Sequence, residues 1–271
     1  MSVFAAVQMT SGADVGENLI AAGHWIEAAK AAGAQVVLLP ENFNFLGMRD
    51  GDKRAVAEPF GSGPTQDFLS TTAKRHGIWI IAGTMPLVGE SQDDRVTNTS
   101  LVYDAAGQCV ARYDKMHLFD VNVPGQATEI YRESTHVAPG KQVVLVDTPA
   151  GRVGLSVCYD VRFPELYRQL SVQGAEILVV PAAFTVPTGR AHWEVLLRAR
   201  AIENLCYVVA AAQSGTHSNR RETYGDSLIV DGWGRVLTRR PQGSGIITAA
   251  LDLTALRQTR AEFPALSNRV L

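Results

Sequence analysis

Short apolar, β-prone runs alternate with helical periodicities from one end of the chain to the other. The spacing predicts strands over 3–9, 36–40, 78–84, 177–181 and 207–213. It predicts helices over 18–32, 64–76, 164–173 and 191–204, the first with Ile20, Trp25, Ile26 and Ala29 on one side and Gly33 as its stop. Three further strand pairs read as hairpins: 98–103 with 110–113, 143–147 with 151–157, and 228–230 with 236–238. Helices interleaved with hairpins and βα units imply mixed sheets with helices on the outside, an α/β fold. The chain has 271 residues, enough for one sizeable core. No Pro/Ser-rich linker, charge block or repeat divides it, so 1–271 reads as a single domain, with 261–271 a C-terminal tail. The stretch 114–140 is long and mostly irregular, which marks a functional loop more often than filler.

Charge and composition exclude several classes. The net charge is −2 with signs mixed along the chain, so nothing steers it toward nucleic acid or an anionic membrane. No apolar run reaches transmembrane length. Residues 1–9 lack a basic leader and read as a strand rather than a signal peptide. Cys109, Cys158 and Cys206 are an odd set with no C-x-x-C pair, which fits free thiols in a reducing, cytoplasmic setting. The six histidines show no ligand spacing, so neither a metal nor another cofactor is expected.

Chemistry concentrates at strand ends. Arg152-Val153-Gly154-Leu155-Ser156-Val157 reads as a buried strand, Cys158 follows it, and Pro164 suits the first turn of a helix. Cys158 therefore falls at a strand-to-helix elbow, where free backbone N–H groups face whatever the sulfur attacks. The alternative is one more inert, buried cysteine. Glu41 closes the run Leu38-Leu39-Pro40, and Lys115 closes another ending Tyr113-Asp114. Alone, either reads as an ordinary surface residue. A base, a cation and a thiol, each directly following an apolar strand, are the parts an amide hydrolase needs.

Three segments, Leu39-Pro40-Glu41-Asn42, Tyr113-Asp114-Lys115-Met116-His117-Leu118 and Val157-Cys158-Tyr159-Asp160-Val161-Arg162-Phe163-Pro164-Glu165, resemble the nitrilase superfamily of carbon–nitrogen hydrolases in wording, order and spacing. The helix-like run 191–203, with Pro124-Gly125-Gln126, Glu133-Ser134 and Pro139-Gly140, is similar to the branch that holds the deaminated glutathione amidases and the ω-amidases. The resemblance implies a four-layer α-β-β-α sandwich paired into a homodimer or larger homo-oligomer. It also implies a catalytic Glu41, Lys115 and Cys158, with Glu133 set against the lysine. The expected reaction is hydrolysis of a small carboxylate-bearing amide through a cysteine thioester, deaminated glutathione or else α-ketoglutaramate or α-ketosuccinamate. Nitrile or N-carbamoyl hydrolysis, and a non-catalytic interaction protein, are the competing readings.

For the substrate, Arg162 stands four residues after the thiol, so one helical turn would return it to the same pocket to bind a carboxylate. The alternative is an internal ion pair with Asp160 or Glu165. Thr188 could donate a hydroxyl to the same carboxylate or be a plain turn residue before the helix at 191. Tyr159 and Phe184 read as pocket walls.

Overall fold

In the computed structural model, residues 1–89, 94–123 and 130–270 are described, and Pro124-Gly125-Gln126 lies outside them. Two mixed sheets form the centre. The first runs in the order Gly245–Leu251, Ser2–Gln8, Val36–Leu38, Trp79–Ile81, Val96–Tyr103, Met85–Val88, with Cys109–Asp114 and Val137–Ala138 also paired to Val96–Tyr103. The second runs Leu145–Thr148, Gly151–Leu155, Ile177–Ala182, Tyr207–Ala212, Ser227–Val230, Val236–Arg240. In each, three neighbouring strands are parallel, joined by helical crossovers, and the flanking strands are antiparallel.

The pleat explains why the central strands read as unbroken apolar runs. In Ser2–Gln8, Phe4 and Ala6 face the core shared with the second sheet. Ala5 and Val7 face a separate core with helices α1 (Val15–Ala31) and α2 (Pro64–His76). A strand buried on both faces has no polar side to alternate. On the second sheet, helices α3 (Pro164–Val172) and α4 (Val186–Asn204) supply Leu166, Leu170, Trp193 and Leu197 to the large core. The layers are therefore helix, sheet, sheet, helix.

Several expectations are corrected. Ile20 is exposed, and α1 buries Asn18, Ala22, Ile26 and Ala29 instead; the buried stripe advances by three and four residues, and Ile20 falls off it. Helix α4 starts at Val186, with Pro187 in its first turn, rather than at 191, so Thr188 is helical. The chain also adds a strand, Gly245–Leu251, antiparallel to Ser2–Gln8, and helix α5 (Leu253–Glu262). The separate tail thus begins after Glu262, and Arg260 is docked, donating from its guanidinium to the carbonyls of Leu205 and Ala175 at 2.8 Å each. The stretch expected to be irregular carries a short hairpin, Asp120–Asn122 with Ile130–Arg132, and a 3-10 turn, Glu133–Thr135. Among the described residues, no helix is long and apolar enough to cross a membrane.

Candidate active site

Cys158 sits just past the second sheet. Strand Gly151–Leu155 ends, Val157 is extended, and Cys158 opens a 3-10 turn, Cys158–Arg162, before α3 begins at Pro164. Its φ of 48° lies in the left-handed region, which costs a non-glycine residue about 1–3 kcal/mol unless its surroundings impose it. Asp160 imposes it here. One of its carboxylate oxygens accepts the Val157 N–H at 2.8 Å and the Tyr113 O–H at 2.7 Å. The other accepts the His117 N–H at 3.0 Å and meets His117 Nδ1 at 2.7 Å.

Glu41 leaves the end of Val36–Leu38 through Pro40. Gly83, at φ 52°, lies directly under this exit: a Cβ there would stand 2.0 Å from the Pro40 carbonyl oxygen. Gln213 Nε2 donates to the Glu41 carbonyl at 3.0 Å and fixes the backbone from the other sheet. The carboxylate Oε1 accepts from Lys115 Nζ at 3.0 Å and from Asn98 Nδ2 at 3.1 Å, while Oε2 accepts the Ala183 N–H at 2.9 Å. Lys115 follows strand Cys109–Asp114, and its carbonyl accepts the Gly140 N–H at 2.9 Å. A Cβ at Gly140 would lie 2.0 Å from the Asp114 carbonyl oxygen. Lys115 Nζ also donates to Glu133 Oε2 at 2.8 Å, and the same oxygen accepts the Phe119 N–H at 2.7 Å. Asn98 Nδ2 completes the bridge to Glu133 Oε1 at 3.3 Å.

This network is nearly dry: Glu41 is 3% exposed, Lys115 2% and Cys158 7%. Burial alone would pull the lysine pKa down. The two carboxylates, Glu133 more than Glu41, outweigh it and hold the ammonium well above the ordinary lysine value. Burial likewise works to raise the Glu133 pKa, but Lys115 and then Lys53 bring it down to about 2. The Cys158 thiol contacts Glu41 and the Ala183 N–H. Burial first, then the Glu41 charge, push its pKa well above 9.0 against the opposing pull of Lys115. At neutral pH the sulfur therefore keeps its proton, next to a carboxylate that can accept it.

A cavity of about 50 Å³ opens onto Cys158, Glu41, Lys115 and Glu133, with Tyr159, Phe184 and Thr188 on its walls. Phe184 leans on Trp193 at 4.7 Å between ring centroids, and Tyr159 on Phe119 at 5.1 Å. Thr188 Oγ1 meets Thr185 Oγ1 at 2.8 Å. Arg162 is not a lining residue. Its guanidinium lies 5.7 and 5.4 Å from the ring centroids of Tyr159 and Phe184 and meets His192 Nδ1 at 3.2 Å. Residues 158–162 wind as a 3-10 turn, three residues per turn, and Phe163 then ends it, which sets Arg162 against the rings of Tyr159 and Phe184. Nor does Arg162 pair with Asp160, whose oxygens are already taken.

Sequence reasoning missed Asn98, the Ala183 N–H, Lys53 and Arg221, the last two also lining the cavity. Asn98 left a signal: it is a polar residue in strand Val96–Tyr103, every position of which is buried, and such a group needs partners. Lys53 comes from a short 3-10 helix, Asp50–Val56, and Arg221 from a turn, where neither period nor composition distinguishes them. Among the described residues, no three His, Cys, Asp or Glu side chains converge as a metal-ligand set.

The architecture and this thiol–carboxylate–ammonium site define a carbon–nitrogen hydrolase. The chain belongs to that family: residues 4–261 match the carbon-nitrogen hydrolase model. It is 46% identical over 98% of its length to a deaminated glutathione amidase of Synechocystis sp., covering 97% of that protein. In structure it is similar to the C. elegans NitFhit protein, with a TM-score of 0.90 and 40% identity over 99% of this chain and 65% of that longer one. It is also similar to an amidase of Nesterenkonia sp. AN1, TM-score 0.79 and 26% identity over 97% of this chain and 98% of the other, whose active-site cysteine carries an acrylamide adduct. The protein is thus a hydrolase of carbon–nitrogen bonds other than peptide bonds.

Proposed function

We propose that the chain is an amidase that cleaves a small carboxylate-bearing amide, deaminated glutathione in the first instance, through a thioester on Cys158. The observation that carries the reading is the convergence of Cys158, Glu41 and Lys115 on one cavity, with the Glu41 carboxylate held by Lys115 Nζ at 3.0 Å. As the sulfur adds to the amide carbonyl, its proton passes to Glu41. The Lys115 ammonium and the Tyr159 N–H, in the 3-10 turn that Cys158 opens, receive the developing oxyanion; one such donor is worth about 2.7–4 kcal/mol. Collapse expels the amine, which takes the proton from Glu41 and leaves the acyl group on sulfur. Glu41 then takes a proton from water, the hydroxide attacks the thioester, and the acid departs as Cys158 regains its proton. Glu133 keeps Lys115 charged and aimed, Tyr159 and Phe184 hold the acyl group, and the Thr188 hydroxyl is offered to it.

The name borne by relatives such as the Synechocystis enzyme supports this substrate over α-ketoglutaramate, nitriles or carbamoyl compounds. The three cysteines are free, which supports a cytoplasmic setting, and we propose a homodimer as the working form. The test is amine and ammonia release from a panel of deaminated glutathione, α-ketoglutaramate, a simple nitrile and an N-carbamoyl amino acid. The first should be turned over fastest, and Cys158→Ala should lower that rate more than about 10³-fold. Substantial turnover by Cys158→Ala would sink the mechanism; a preference for α-ketoglutaramate would reassign the substrate.

A further inference from the structure

Asn98 touches both carboxylates of the site, and the chemistry above gives it no task. It lies in strand Val96–Tyr103, is 3% exposed, and does not line the cavity. Its backbone carbonyl accepts the Lys115 N–H at 3.0 Å, so the pairing that fixes the lysine also fixes the asparagine. Its side-chain Nδ2 donates to Glu41 Oε1 at 3.1 Å and to Glu133 Oε1 at 3.3 Å. Both partners are carboxylate oxygens, which only accept, so the amino end of the amide faces them with one N–H for each. A leucine would fill the same space; the amide brings two donors and no charge.

Glu41 shows what those donors do. A carboxylate offers about four lone-pair sites, two on each oxygen. On Oε1 both are taken, by Lys115 Nζ at 3.0 Å and by Asn98 Nδ2. On Oε2 the Ala183 N–H takes one at 2.9 Å, and the other is open. The same Ala183 N–H also reaches the Cys158 sulfur, which puts Oε2 on the sulfur's side of the group. Without Asn98, Oε1 would be open too, on the side that faces Glu133. A proton caught there would bridge two carboxylates, an arrangement that like charges at close range favour.

We infer that Asn98 is a positioning residue for the proton transfer: it closes Oε1 of Glu41, so that the proton leaving Cys158 has only Oε2 to occupy. The inference rests on the amidase reading and deepens it. As a sulfur electron pair forms the S–C bond, the S–H bond breaks and its proton moves to Oε2. As the C–N bond breaks, the departing nitrogen keeps that electron pair and takes the proton from the same oxygen. Held on Oε2, the proton stands beside the leaving group when it is needed; on Oε1 it would first have to cross the carboxylate.

The test compares Asn98→Ala, Asn98→Ser and Asn98→Asp with the parent by kcat and KM for deaminated glutathione across pH, with urea midpoints as the measure of folding. Loss of a hydrogen bond to a charged group should lower kcat in Asn98→Ala by about ten- to a hundredfold. KM should stay within about twofold, because Asn98 is outside the cavity. The acid limb of the profile should move to higher pH, since a carboxylate that loses a donor holds a proton more tightly. Asn98→Ser, with one donor for two, should fall between, and Asn98→Asp should be slowest because it adds a third negative charge. A folded Asn98→Ala with the parent's kcat, or with kcat lost and the pH profile unmoved, overturns the inference and leaves Asn98 a packing residue. A second measurement uses no amide. Without Asn98 the Glu41 charge is less compensated, so iodoacetamide should alkylate Cys158 several-fold more slowly in Asn98→Ala than in the parent, whereas adding Asn98→Ala to Glu41→Gln should change nothing. Equal slowing in both backgrounds overturns the inference. Should the parent turn over no amide, this cycle still decides whether Asn98 acts through Glu41, and the amidase reading alone falls.

Discussion

At Cys158, burial and a neighbouring carboxylate act together against ionisation, and Lys115 cannot outweigh them. The thiol is raised rather than lowered, so the thiolate fraction at neutral pH is small and grows about tenfold per pH unit below the pKa. Alkylation of Cys158 by iodoacetamide, followed by peptide mass, should therefore keep accelerating from about pH 6 to about pH 9 without levelling. A plateau below pH 8 would mean a preformed thiolate, and Glu41 would lose its role in taking the proton. The residues of this site were legible in unequal measure. Glu41, Lys115 and Cys158 each follow an apolar strand, and strand ends converge in such folds, so position along the chain was enough to raise them. Asn98 was visible only as a buried polar residue without an evident partner. Arg221 left no trace, because its place at the cavity is set by the turn at 217–221 and by contacts with residues near 11 and 47.

Two of the three elements that carry a reactive group, those leading to Glu41 and Lys115, approach another backbone too closely for a side chain to intervene. Gly83 under Pro40 and Gly140 under Asp114 mark the two approaches. Gly83→Ala should destabilise the protein by about 1–3 kcal/mol, and displacement of Pro40 should carry Glu41 with it and lower amide turnover. Gly33→Ala is the comparison: its φ is 84°, but nothing lies within 4 Å of the added Cβ, so it should show the backbone cost alone, with activity kept. Urea unfolding midpoints and initial rates measure both, and a Gly83→Ala protein no worse than Gly33→Ala would show that the close approach does not hold Glu41. The strongly patterned elements were readable, α2 to the residue, because Pro64 and Gly77 bracket it. The start of α4 was misplaced because Val186-Pro187-Thr188-Gly189 carries turn chemistry that tertiary packing overrides: Gly189 sits where a Cβ would strike the Tyr224 ring. Strand Gly245–Leu251 escaped notice because its pairing partner lies at the opposite end of the sequence, and α5 because it buries only Leu256.

At the scale of the molecule, the site exists only where the two sheets meet: Glu41 and Lys115 come from the first, Cys158 and Ala183 from the second. The outer helices α3 and α4 leave Val172, Val195 and Ile202 exposed at 67%, 68% and 49%, and apolar side chains bared on adjoining helices suit a partner surface. Sedimentation at micromolar concentration should show a dimer or larger, and Val195→Asp should shift it toward monomer; a monomer in the parent protein would rule out the proposed assembly. The central claim is that the two sheets together make one covalent catalyst. The most direct measurement is acid quenching during steady turnover of deaminated glutathione, followed by mass mapping of the peptide that contains Cys158. The account predicts that peptide heavier by the 2-oxoglutaryl group in the parent protein and unmodified in Cys158→Ala, whereas undiminished turnover in Cys158→Ala, with the acyl mass absent from Cys158 in the parent, would contradict it.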